Sequence, residues 1–295
     1  MTKISVVMAV YNGAHELPAT LDSIFTQSES DFELIVVDDG SIDGTQTVLS
    51  QYTDSRLRII TQSNAGLTRA LMRGCDDARA DVIARHDCGD RSHRERLAKQ
   101  LALLDEGHVL VSCATKVVER DGELLYISRA DGNALRHGLL HGDAQQIRSI
   151  PHHGSAMFRR DAYRDAGGYR AQFRLAQDLD LWIRMAKIGT IGIVDEVLYD
   201  AAFDARGISG ASRDAQVRLT EIAVALRDGG DAAALLDEAS RIRSSPRTPE
   251  GEAAALYFIG KCLLDQKNAK GKQYLREALA RDPWHWRARI ALFLA

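Results

Sequence analysis

Four short apolar runs, each stopping at a polar cluster, constrain the fold of this chain more than any other feature. Ile4 to Val10 is nearly continuous and rich in β-branched residues, as in strands covered on both faces, and it ends at Tyr11-Asn12-Gly13. Leu17, Leu21, Ile24 and Phe25 then recur at helical spacing, with Pro18 tolerable only in a first turn. Phe32 to Val37 stops at Asp38-Asp39-Gly40-Ser41, and Leu57 to Ile60 precedes Asn64-Ala65-Gly66-Leu67, which opens another helix. Val82-Ile83-Ala84 runs into Arg85-His86-Asp87-Cys88-Gly89-Asp90. Strands and helices alternating over short connections predict a doubly wound α/β sheet. Ligands of such sheets bind beyond the carboxyl ends of the strands. Tyr11-Asn12, Asp38-Asp39 and Asp87–Asp90 therefore fall on one edge of one sheet.

The middle of the chain is less regular. Arg96 to Leu104 predicts a helix, Val109 to Val118 a strand, and Asp121-Gly122 a turn into Leu124–Ile127. Ala156-Met157-Phe158 is a strand candidate, Asp178 to Met185 begins a helix, and Ile191 to Tyr199 is a final strand pair or edge. Beyond about Arg206, alanine- and arginine-rich helices take over, so two parts are expected, residues 1–205 and 206–295. Residues 213–295 carry 14 Lys/Arg against 11 Asp/Glu, although the whole chain has net charge −3. A tail of this kind is most often a solvated face; peripheral contact with an anionic membrane is the sharper alternative. Within it, Leu256–Leu264 and Lys272–Ala280, closed by Asp282-Pro283, resemble one tetratricopeptide unit with a spacing one residue short. A single repeat cannot bury its own core, so it should pack on the rest of the chain or on a partner.

The net charge argues against a nucleic-acid binder. Cys75, Cys88, Cys113 and Cys262 form no CxxC pair, which points to a reduced, cytoplasmic protein rather than a disulfide or zinc scaffold. The first strand begins too early for a signal peptide, and no apolar run approaches the roughly 18 residues that span a bilayer. Missing GxGxxG and P-loop patterns argue against dehydrogenases and P-loop NTPases. Asp87 and Asp90, at a strand end, suit a hard divalent cation and its phosphate ligand. A simple polar turn explains the same residues.

Six stretches taken in order carry a more specific pattern: Val6–Gly13, Glu33–Ser41, Asn64–Leu71, Ala84–Asp90, Gly167-Gly168-Tyr169 and Gln177–Arg184. With them, the first 205 residues resemble a family 2 glycosyltransferase. The resemblance implies a GT-A fold, an α/β Rossmann-like mixed sheet, here with a C-terminal all-α extension. It implies inverting transfer of a sugar from a nucleotide-diphosphate donor, a UDP-sugar, to a hydroxyl of a saccharide or lipid-linked saccharide. Bacterial cell-surface polysaccharide synthesis is the implied setting, with Mn²⁺ or Mg²⁺ as cofactor. Tyr11 would stack on the base, Asp39 accept its imino N–H, and Asp38 support the loop. Asn12, Asn64, Gly66 and Arg69 would line the nucleotide, and Asp87 would face the ribose or diphosphate and share the metal with Asp90. Asp178 is the implied general base; His152, His153 and Trp182 fall on the acceptor side, with loop support or packing as competing roles. Two departures stand out. Gly89 occupies the position of the family's second aspartate, and Gln177 that of a glutamate. They leave open a second reading, a catalytically inactive nucleotide-sugar-binding scaffold.

Overall fold

The four apolar runs become parallel strands lying side by side. In the computed structural model, which describes residues 2–119, 121–147, 150–203, 213–243 and 248–295, they are β1 (Ile4–Val10), β2 (Phe32–Asp38), β3 (Leu57–Thr61) and β4 (Val82–Asp87), in the order β3-β2-β1-β4. The expected boundary at 205/206 lies outside the described residues. In β1, β2 and β4 successive side chains enter two different cores, which is why these runs lack a polar face, whereas β3, at the end of the sheet, leaves Ile59 exposed. Val7, Ile35 and Val37 enter one core; Val6, Met8, Leu34 and Val36 enter the other. The first core is closed by α3 (Leu67–Asp76) and α7 (Gln177–Ile188). The second is closed by α1 (Leu17–Phe25), α2 (Thr45–Ser50) and α4 (Arg96–Asp105).

Beyond β4 the sheet becomes mixed. β8 (Met157–Arg159) inserts antiparallel between β4 and β6 (Leu110–Glu119), and β9 (Ile191–Phe203) runs parallel to β6. β5 (Arg91–Ser92) pairs with Tyr199 and Asp200 of β9, and β7 (Leu124–Ser128) forms a hairpin with β6. Where the sequence predicts a strand pair or edge at Ile191–Tyr199, the structure has one long strand. Its last third therefore reaches the carboxyl edge, beside Asp90. Three short elements carry no sequence signal of their own: β5, α5 (Gly132–His141) and α6 (Arg160–Asp165). Helix α5 contains two glycines and buries only Leu135 and Leu139, too few apolar positions to set a period.

The helices after residue 213 pack in two places. α8 (Arg213–Arg227) and α9 (Ala232–Arg241) add Leu219, Ile222, Ala223 and Ala239 to the core around α7. α10 (Pro249–Asp265) and α11 (Gly271–Arg281) cross closely: a Cβ on Gly271 would lie 2.6 Å from the Gly260 carbonyl oxygen. α10 sets Ile259 and Leu263 against Val117 and Leu125 of the β6–β7 hairpin. Gln266 fastens the joint, its Nε2 donating to the carbonyls of Leu124 and Leu125 at 2.8 and 2.7 Å. The tetratricopeptide-like pair thus covers its core with the sheet domain, as a single repeat must. α12 (Trp286–Leu294) follows, and no described helix is long and apolar enough to cross a membrane.

Candidate active site

Register brings the strand ends together. Val10 pairs with Asp38, Ala9 with Asp87, and Asp38 with Thr61. The loops after β1, β2 and β3 are then tied to one another by side chains. Asn12 takes a left-handed backbone conformation (φ 54°), which asparagine tolerates better than most residues. Its Oδ1 accepts the Ile42 N–H at 2.8 Å, and its own N–H donates to Ser41 Oγ at 2.9 Å. Buried Asp38 accepts from Ser41 N–H and Gln46 Nε2. Asp39, only 3% exposed, accepts from Gln62 Nε2 at 2.7 Å, Ala65 N–H at 2.9 Å and Gly66 N–H at 2.8 Å. Loop support is therefore not confined to Asp38: Asp39 holds the Asn64–Gly66 segment in place. Tyr11 is 50% exposed on this edge, and Asn64 is exposed. Arg69 is also exposed, has no ion-pair partner among the described residues, and lines a cavity of about 180 Å³ with Thr68, Arg174 and Arg243.

At the end of β4 a fully buried cation organises the next part of the site. The Arg85 guanidinium donates to the Val7 carbonyl at 2.6 Å, the His86 carbonyl at 2.9 Å and Asp87 Oδ1 at 2.6 Å. Burial pushes the Asp87 carboxyl up, but Arg85, with His153 and His152, outweighs it and holds the group below the usual carboxylate range. Asp87 is thus an anion fixed in place on one oxygen. Gly154 keeps its surroundings open, since a Cβ there would meet Tyr199 Oη at 2.2 Å and Asp87 Oδ2 at 2.9 Å. His86 is neutral, pushed down to about 3 by burial and by Arg96.

Asp90 is the second carboxylate of this edge, a ligand atom of each lying within 4.8 Å of the other. It is 4% exposed; Oδ1 accepts the Ala202 N–H at 2.8 Å, whereas Oδ2 is buried without a hydrogen-bond partner. Facing it at 3.6 Å stands His152 Nδ1, itself the acceptor of the Gly154 N–H. A proton or a cation between the two groups satisfies both. Burial, with Asp87 adding and His152 opposing, raises the Asp90 carboxyl to about 6. Ligand atoms of Asp87, Asp90 and His152 all lie within 4.8 Å of one another, so two carboxylates and an imidazole fit a divalent cation. Gly89 has φ +100°, a conformation strained for aspartate, and supplies no ligand. His152, expected on the acceptor side, instead joins the acidic pair.

The remaining predicted residues divide sharply. Asp178 is half-buried in the first turn of α7, with Oδ1 on the Leu179 N–H at 2.9 Å. His153 is buried rather than turned to an acceptor: its Nε2 meets Tyr169 Oη at 2.7 Å and Arg85 Nε at 3.4 Å. Burial and Arg85 push this imidazole down to about 4, while Asp178 and Asp87 pull the other way. One neutral ring thus lies within electrostatic reach of both carboxylates. Trp182 has no exposed surface and packs edge-on against His153 and Phe158, which removes it as a sugar platform. Asp180 is also structural, clamped by Arg170 at 2.9 Å and Arg184 at 2.6 Å. Sequence reasoning missed the roles of Arg85, Gly154 and Tyr199. Only Arg85 carries a signal, a charge inside an apolar strand run.

A parallel half of the sheet, extended by a mixed half that brings an acid–imidazole cluster to the end of β4, is the architecture of the GT-A glycosyltransferases. Residues 5–167 match the Glycosyl transferase family 2, and the chain belongs to that family. EpsE of Bacillus subtilis (strain 168) is 32% identical over 210 residues, covering 68% of this chain and 73% of that protein. The O-antigen biosynthesis glycosyltransferase WbnJ of Escherichia coli is 29% identical over 186 residues, 62% and 71% of the two chains. Among solved structures, the mannosyltransferase PcManGT from Pyrobaculum calidifontis, in complex with GDP-Man and Mn²⁺, superposes with a TM-score of 0.61 at 21% identity. That match covers 99% of this chain and 83% of the other. S. aureus TarS 1-349 in complex with UDP-GlcNAc gives 0.55 at 18% identity, covering 95% and 72%.

Proposed function

We propose that this glycosyltransferase moves a sugar with inversion from a UDP-sugar to a hydroxyl of a saccharide or lipid-linked saccharide, in the assembly of a bacterial cell-surface polysaccharide. The observation that carries the reading is the Asp87–Asp90–His152 cluster, with its orphaned buried oxygen. The name of WbnJ supports the product class. TarS was solved with a uridine donor and PcManGT with a guanosine one, so the fold serves both bases in those proteins. Asp39 favours uracil here. A carboxylate has about four acceptor sites and three are already used, leaving one for the single imino N–H of uracil. Guanine presents two adjacent donors. Tyr11 offers its exposed ring for stacking.

The acceptor oxygen attacks the anomeric carbon as the bond to the diphosphate oxygen breaks, and Asp178 takes the hydroxyl proton. A single displacement inverts the centre and needs one base only. Asp87, Asp90 and His152 would hold the cation, and the imidazole tips the preference from Mg²⁺ toward Mn²⁺. Such an ion neutralises charge on the departing diphosphate. Arg85 keeps Asp87 charged and oriented.

Metal removal tests the cluster. UDP should raise the Tm of wild-type protein in the presence of Mn²⁺ and much less in EDTA. His152→Ala should weaken Mn²⁺ binding, read by Mn²⁺ electron paramagnetic resonance, by at least the roughly 10–100-fold that loss of an outer-shell partner costs. Equal UDP affinity with and without Mn²⁺, together with unchanged Mn²⁺ binding by His152→Ala, would remove the metal from this account.

A further inference from the structure

The face of α12 turned away from the protein has a composition unlike the rest of the surface. Ala288 is buried, and Ala291 and Leu292 are partly covered on the same side. At about 100° per residue, the opposite side of the helix carries Trp286, Ile290, Phe293 and Leu294. These four are between 51% and 89% exposed. Arg287 and Arg289 fall on the two flanks of that stripe, and both are exposed. Arg287 lies over the Trp286 ring at 5.2 Å, and Arg289 over Trp284, itself 83% exposed, at 5.7 Å. No acidic residue occurs between Pro283 and Ala295. Residues 266–295 have net charge +5, and the remainder of the chain −8.

An exposed apolar stripe bordered by arginines, with tryptophans at its edge, has the chemistry of a helix lying in a membrane interface. Tryptophan and leucine-type side chains enter the boundary of the acyl chains, while the arginines meet anionic headgroups. The helix is nine residues long, about 14 Å, too short to span a bilayer and suited only to lying along one. A surface made for a further packed helix needs the apolar stripe but not a cation on each flank. The segregation of +5 from −8 gives the face its partner: a negatively charged surface attracts this end and repels the rest. We propose that α12, with Trp284, docks the enzyme on an anionic lipid surface.

Flotation with vesicles tests this independently of catalysis. The full chain should float with vesicles containing one-third phosphatidylglycerol and not with phosphatidylcholine alone, with a blue shift of tryptophan emission. Trp286→Ser with Phe293→Ser should reduce binding by about tenfold or more, and so should Arg287→Gln with Arg289→Gln. All four side chains are exposed, and only Arg289 has a local hydrogen-bonded tie, to the Pro283 carbonyl, so far-ultraviolet circular dichroism is measured on both double variants and should be unchanged. Absence of binding to the anionic vesicles overturns the proposal, as does binding that neither double variant reduces. A concentration-dependent dimer that Trp286→Ser with Phe293→Ser dissolves, in a protein that ignores vesicles, assigns the face to a second copy instead.

Discussion

Replacing Asp178 by asparagine is expected to lower kcat for sugar transfer by about 10²–10⁴-fold while leaving the donor Kd unchanged. The substitution is close to isosteric, and the amide oxygen can still accept the Leu179 N–H that Oδ1 now accepts. The turn into α7 therefore survives, and what disappears is the ability to take a proton. His153 does not substitute for it: the ring is buried, is held by Tyr169 and Arg85, and resists protonation with a pKa pushed down to about 4. Gln177, where the family has glutamate, is buried with its Oε1 unpartnered and offers no second base. Steady-state rates and isothermal titration of the donor separate the outcomes. A variant with wild-type kcat ends the assignment; a fall in donor affinity matching the fall in rate makes Asp178 a binding residue.

Asp87→Asn should strike stability and chemistry together. Arg85 has no exposed surface, and Asp87 is its one anionic partner among the described residues. Removing the anion, whose own side chain is 29% exposed, leaves the buried Arg85 cation uncompensated. Because asparagine still accepts a hydrogen bond, the expected loss is about 3 kcal/mol, at the low end for such pairs. That corresponds to a fall in Tm of about 6–12 °C. Combining it with Arg85→Met should recover most of the stability, since the orphaned cation is gone, while sugar transfer stays lost. Calorimetry and activity of the single and double variants test this. Recovery of activity along with stability would make Asp87 a structural residue only.

Much of this architecture is written locally. The β-branched runs specify strands covered on both faces, and the alternation of strand and helix places their carboxyl ends on one edge. Asn12, Asp38 and Asp39 are found there for that reason. What the sequence hides is long-range. His152 meets Asp90 only because β8 inserts antiparallel between β4 and β6 and because β9 runs on far enough to receive Asp90 on Ala202. The sequence marks β8 as a strand, but neither its antiparallel placement between β4 and β6 nor the length of β9 has a sequence signature. The same distance effect misdirects Trp182 and His153, whose aromatic character suits a sugar platform or a core equally well until packing decides. Gly89 reads as a lost metal ligand. The fold places the His152 imidazole 3.6 Å from Asp90.

The central claim is tested most directly by turnover of a panel of nucleotide sugars with Mn²⁺, following release of the nucleoside diphosphate by ³¹P nuclear magnetic resonance. The account predicts UDP release from at least one UDP-sugar, faster than from GDP-sugars, lost in Asp178→Asn, with the transferred sugar inverted at its anomeric carbon. Donor binding by thermal shift with no diphosphate released from any donor would contradict it and leave a nucleotide-sugar-binding scaffold.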